Sequence, residues 1–124
     1  MLFSIIPTPQ TKSFKPQSKA GDLKTRLDWG EPALTIVDAR DRESYNMGHI
    51  QGAIPMPMST LPGRAMESLE PERDIYVYGD TDEETAEAAT KLREAGFQRV
   101  SELTGGLAAW KAVGYPVSAV SAVA

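Results

Sequence analysis

The chain has 124 residues, the size of one compact domain, and a hydrophobic fraction of 41% with no run near the ~18 apolar residues that a membrane-crossing helix needs. It has no cysteine, which excludes disulfides, zinc–thiolate and iron–sulfur sites and every mechanism with a cysteine nucleophile. The formal charge of −4 is unevenly spread: residues 1–26 carry Lys12, Lys15, Lys19, Lys24 and Arg26 against Asp22 alone, and the rest holds 8 basic and 16 acidic side chains. Such an acidic body does not suit a phosphate backbone, so no nucleic-acid partner is expected.

Met1–Ile6 is apolar but lacks a basic flank and runs at once into Pro7 and Pro9. It is too short for a secretory core of ~7–15 residues, and a cytoplasmic location is the expectation. Residues 1–19, rich in Pro, Ser, Thr, Gln and Lys, read as a flexible basic arm, with a short edge strand expected to start at Phe14. Leu23 and Leu27 fall four apart, which predicts a short helix from Ala20 to Trp29 that stops near Gly30 and Pro32. Leu34-Thr35-Ile36-Val37 predicts a buried strand closing on Asp38. A polar turn through Arg40, Asp41 and Arg42 leads to a brief helix through Tyr45 and Met47. Gly48–Gly52 breaks it before a very short strand at Ala53–Pro55. Pro57, Pro62, Gly63 and Pro71 then leave room for one helix around Arg64–Leu69.

Ile75-Tyr76-Val77-Tyr78 is the second clear strand, and Ala86, Ala89 and Leu92 place a helix over about 82–95 that ends at Gly96. Thr81 with Glu84 three residues on has the pattern of a capping box. Val100–Leu103 is a third strand, and Gly105-Gly106 opens a last helix through Trp110 and Val113, stopped by Gly114 and Pro116. Strands alternate with helices, which predicts an α/β fold with a mostly parallel sheet. There is no internal repeat. Residues 118–124 read as a frayed tail. Trp29 and Trp110 are expected as core or half-buried helix anchors. Met56 and Met58 are expected to pack beneath the loop that follows them, with an adaptable apolar surface as the alternative.

Ligands of open parallel sheets sit outside the carboxyl ends of the strands. The turn from Tyr78 to Thr85 is such a place: a buried strand feeds a helix N-terminus whose free N–H groups and dipole favour an anion.

Three patches in this order resemble the rhodanese-like (sulfurtransferase) family over about residues 20–117. Val37-Asp38-Ala39-Arg40, with Glu43, Tyr45 and Gly48-His49-Ile50-Gln51-Gly52-Ala53, is similar to the family's first signature. Gly105-Gly106-Leu107-Ala108-Ala109-Trp110-Lys111, then Gly114-Tyr115-Pro116-Val117, is similar to the closing one. Between them, Ile75–Tyr78 and the Ala86–Gly96 helix match the elements that flank the active-site loop. The resemblance implies a three-layer fold with a central, mostly parallel five-stranded sheet flanked by helices, over residues 20–117.

The family's loop begins with a cysteine that takes up sulfane sulfur as a persulfide, and commonly carries an arginine five positions later. Here those positions are Gly79 and Glu84. The span has the length seen in sulfur-handling members rather than the longer loop of related phosphatases. Asp80, Asp82, Glu83 and Glu84, with Glu87 one turn on, add charge of the wrong sign. At ~6 Å and an effective dielectric of ~20 each repels an anion by roughly 2–3 kcal/mol before screening. As carboxylates at a helix N-terminus they stabilise its dipole, so the loop is expected to fill its anion site with its own acidic side chains. Calcium-type spacing is absent. His49 is the sole histidine and is expected to be structural. Ser59, Thr60 and Ser68 have no adjacent base.

The leading expectation is a catalytically silent rhodanese-like domain that serves as a protein-interaction or regulatory module. It needs no cofactor, is a monomer, and has an unidentified, basic protein as partner. The candidate partner-binding loop is Gly79, Asp80, Thr81, Asp82, Glu83, Glu84 and Thr85, with Asp38 and Arg40 supporting it as the resemblance implies. Two alternatives stand beside it: an enzyme that uses the acidic loop with a divalent cation, and a sulfur-relay accessory whose partner supplies the cysteine.

Overall fold

The computed structural model describes residues 14–30 and 33–120. Along the chain run β1 (Gln17–Ser18), α1 (Ala20–Asp28), β2 (Leu34–Asp38), α2 (Arg42–Met47), β3 (His49–Ile50), β4 (Ile54–Pro55), a 3₁₀ turn (Met58–Thr60) and α3 (Gly63–Ser68). These are followed by β5 (Asp74–Tyr78), α4 (Asp82–Glu94), β6 (Val100–Leu103), α5 (Gly106–Ala112) and β7 (Val117–Ser118). Five strands form one parallel sheet in the order β1-β6-β5-β2-β4, and β3 pairs with β7 in a separate antiparallel ribbon. The α/β class and the five-stranded parallel sheet flanked by helices are those expected from the sequence.

The central strands are read from their composition. Leu34–Asp38 and Asp74–Tyr78 are β-branched and aromatic runs that pair residue for residue, Leu34 with Asp74 through Asp38 with Tyr78. Their alternation separates two cores. Val37, Ile75, Val77 and Val100 face α3 and α4 and pack with Ala65, Ala88, Ala89 and Leu92. Ile36, Tyr76, Tyr78 and Leu103 face the other way, onto α1 and α5, with Leu23 and Trp110. Both faces of the sheet are covered, as a parallel sheet requires.

Four expectations need correction. Trp29 is no anchor: it caps the C-terminus of α1 and is 79% exposed, whereas Trp110 is 1% exposed and donates its indole N–H to the Pro116 carbonyl at 2.7 Å. Apolar identity alone did not separate a helix-end position from a helix-face position. Gln17 and Ser18, assigned to the arm on composition, pair with Glu102 and Leu103 at the sheet edge, and the Ser18 hydroxyl meets that of Ser101 at 2.6 Å. The edge strand thus begins after Phe14, which packs edge-on to Tyr76 with ring centres 5.2 Å apart. Residues 1–13 of the arm lie outside the described residues. Finally, Ser118 is not frayed: it pairs with His49, and the Val120 N–H donates to the Asn46 carbonyl at 2.9 Å. Residues 121–124 of the tail lie outside the described residues.

Among the described residues no helix is long and apolar enough to cross a membrane.

Candidate functional site

The carboxyl ends of β2 and β5 lie side by side, and the chain leaves β5 through Tyr78 into Gly79. Beneath this exit is a buried polar knot. Asp38 is fully buried and accepts from Arg40 at both oxygens, with Nε at 3.0 and 3.2 Å and Nη2 at 2.7 Å. Arg40 Nη2 also donates to the Gly48 carbonyl at 2.6 Å. The Tyr78 hydroxyl donates to Asp38 at 2.6 Å and accepts the Ile50 N–H at 3.1 Å. Every polar group here finds a partner, so the charged pair survives burial. Burial, then the bond to Asp38, pushes the Tyr78 phenol well above its ordinary ionisation. It stays a neutral donor.

Asp38 and Arg40 therefore reach the loop through Tyr78, the residue before Gly79, and through the Gly48–Ile50 turn. Tyr78 is the member of this set that the sequence reading did not single out as a site residue. Its position at the strand end, in the register opposite Asp38, was the available signal.

Above the knot, the loop is closed by two threonines. The buried Gly79 N–H donates to the Thr85 hydroxyl at 2.8 Å, and that hydroxyl donates to the Thr81 carbonyl at 2.9 Å. The Thr81 hydroxyl caps α4 by accepting the Glu84 N–H at 3.1 Å. The Asp82 carboxylate crosses to the start of α5 and accepts the Gly105 N–H at 2.9 Å. Gly105 sits at φ +81°, and a side chain there would lie 2.6 Å from Ala109 Cβ; a neighbouring Cβ at Gly106 would face the Gly79 carbonyl at 3.4 Å. The double glycine lets α5 start against the loop.

This corrects the expected filling of the anion site. Asp80, Asp82, Glu83 and Glu84 are exposed, and what the loop holds inside is the Thr85 hydroxyl, itself 2% exposed. Short, neutral Thr85 reaches the Gly79 N–H without burying a charge, which a carboxylate in the same place would have to do. A Cβ on Gly79 would meet Glu84 Cβ at 3.2 Å and the Thr85 nitrogen at 3.3 Å, so the first turn of α4 closes on the side-chain position.

Two clefts open on either side of Asp80. One, of about 280 Å³, includes Pro57, Met58, Glu84 and Glu87; the other, of about 250 Å³, includes Gly79, Gly105, Leu107 and Lys111; Arg40 borders both. Met58 is half-buried against the core and Met56 lies within it. His49 is buried, its Nδ1 2.7 Å from the Tyr45 carbonyl and its ring stacked on that of Tyr45 at 3.6 Å. Among the described residues no three His, Asp or Glu side chains converge as metal ligands.

Residues 19–113 match the family model described as the rhodanese-like domain. The chain belongs to the rhodanese-like family. Its structure is similar to that of the Alr3790 protein from Anabaena sp., with 60% identity and a TM-score of 0.82, over 83% of this chain and 92% of that one. A sulfurtransferase of Allochromatium vinosum is 33% identical over 97 residues, 78% of this chain and 89% of that protein. An HTH-type transcriptional regulator of Mycobacterium tuberculosis is 38% identical over 98 residues, and there the match spans only 42% of the longer protein. In this rhodanese-like domain Gly79 stands where the family resemblance places the sulfur-carrying cysteine, and no other position of the chain supplies one.

Proposed function

We propose that this rhodanese-like domain carries no sulfur of its own and works as a protein-interaction or regulatory module. Its contact surface is the loop from Gly79 to Thr85, exposed at Asp80 to Glu84, together with the basic N-terminal arm. One observation carries the reading: the position of the nucleophile is a glycine in a chain without cysteine, and the turn around it is closed by Thr85. A persulfide needs a thiol, and an anionic sulfur donor needs a cradle free of like charge. Both requirements fail here, while the buried supports beneath the loop are intact. The loop stays rigidly presented but chemically inert, which suits recognition by another protein. No metal chemistry is needed for this role.

Affinity capture compares the native domain with Asp80→Asn, Asp82→Asn, Glu83→Gln, Glu84→Gln combined. Partners retained by the native domain and lost from the variant support the reading; an identical set from both contradicts the loop as contact surface.

A second reading is favoured by the cleft beside Gly79 and by similarity to a protein named a sulfurtransferase. In it, a partner brings its own cysteine persulfide and this domain positions it. Saturable sulfur delivery by a persulfidated partner that requires this domain would favour that reading over the first.

A further inference from the structure

The cleft on the Met58 side of Asp80 is not the place where the family resemblance puts sulfur, and its two walls differ in kind. Pro57 and Met58 form an apolar floor, and Asp80, Glu84 and Glu87 stand along one side. Glu84 and Glu87 are three apart on α4, so they project from one face of the helix and repel each other. None of these three carboxylates takes part in an ion pair or side-chain hydrogen bond among the described residues, although α4 spends its C-terminal Arg93 on Glu102. Among the described residues the one cation on the rim, Arg40, is already committed: its side chain is 9% exposed and its Nε and Nη2 are held by Asp38 and the Gly48 carbonyl. Among the described residues the groove therefore combines half-buried apolar surface with carboxylates that no ion pair holds, Asp80 feeling only the field of Arg40.

We infer that this groove receives one arginine side chain from an extended segment of the partner protein, a deepening that rests on the interaction role proposed above. At about 280 Å³ the groove lies just below the ~300–1,000 Å³ range of ligand pockets, so it suits a single long side chain rather than a folded element. The aliphatic stem lies along Pro57 and the flexible thioether of Met58, and the guanidinium meets the carboxylates of Glu84, Glu87 and Asp80. Arginine fits better than lysine because its weakly hydrated, planar head offers several donors at once to more than one carboxylate. Arg40 repels the incoming cation little, since Asp38 cancels its charge at bonding distance.

The test is a titration of the isotopically labelled full chain with tetra-arginine at low salt, followed by amide and methionine-methyl resonances. The expected result is saturable shifts at Met58, Ser59 and Glu87, weakening steeply as salt is raised. Glu84→Gln with Glu87→Gln weakens binding about tenfold, and Glu67→Gln with Glu70→Gln, on the α3 side, leaves it unchanged. Tetra-lysine binds at least about threefold more weakly, and tetra-citrulline leaves the resonances in place. Shifts that avoid Met58, that survive the Glu84/Glu87 variant, or that lysine reproduces at equal affinity overturn the assignment. A groove silent toward the peptide overturns the arginine assignment and leaves the inert-loop reading standing. That reading fails separately, by sulfur transfer from thiosulfate, which the titration does not touch.

Discussion

At the scale of single residues, the site turns on what Gly79 cannot do and on what Tyr78 holds. Restoring the thiol alone does not restore the reaction. In Gly79→Cys the new Cβ presses on Glu84 Cβ and the Thr85 nitrogen at 3.2 and 3.3 Å, which costs about 1–2 kcal/mol, read as a lowered urea midpoint. Sulfur transfer from thiosulfate to cyanide stays at background because the acidic loop still repels the donor. Adding Glu84→Arg and Asp80→Asn lowers that repulsion and raises the rate at least about tenfold over the single variant, as expected for about 1.4 kcal/mol or more. A single Gly79→Cys as fast as the triple variant would show that charge is irrelevant. Tyr78 gives a pH prediction. Its phenol ionises at the ordinary value of 10.0 when unfolded, but is held neutral in the fold by burial and Asp38. Its contribution is complete below about pH 10 and is lost as pH rises above it, because only the unfolded state then releases the proton. Urea unfolding should lose stability between pH 9 and 11 more steeply in the native chain than in Tyr78→Phe; equal slopes would contradict the assignment.

At the scale of elements, the closure of the loop depends on the first turn of α4. Thr85 accepts the buried Gly79 N–H and returns its own proton to the Thr81 carbonyl. Thr85→Val keeps the shape and removes both bonds, leaving a buried donor unpaired at a cost of about 1–3 kcal/mol. Hydrogen exchange at the Gly79 amide should be slow in the native chain and accelerate in the variant; unchanged protection would mean that another group caps that amide. The central elements were legible because their signals are local: β-branched runs at Leu34–Val37 and Ile75–Tyr78, and a capped, Ala-rich helix after Thr81. What stayed hidden was set by contacts remote in sequence. An edge strand from Phe14 was expected, but its pairing through Gln17–Ser18 depends on β6, over eighty residues away, and β7 depends on His49–Ile50. The segment from Gly79 to Thr85 joins β5 to the first turn of α4, but the direction of its side chains was not readable. Neighbouring carboxylates look equivalent in sequence, yet that of Asp82 accepts the Gly105 N–H while those of Asp80, Glu83 and Glu84 accept no hydrogen bond among the described residues.

At the scale of the molecule, the rhodanese-like architecture is retained without its nucleophile. The parallel sheet, the buried Asp38–Arg40–Tyr78 knot and the double glycine at α5 all serve to hold one turn in place. The acidic excess outside residues 1–26 then gains a position as well as a sign, because part of it lines the clefts on either side of Asp80. The most direct measurement is a thiosulfate:cyanide sulfurtransferase assay on the purified full chain, with intact-mass analysis after incubation with the donor. The account predicts thiocyanate at the no-protein background and an unchanged mass. Catalytic thiocyanate formation, or a chain that gains a sulfur atom, would contradict it.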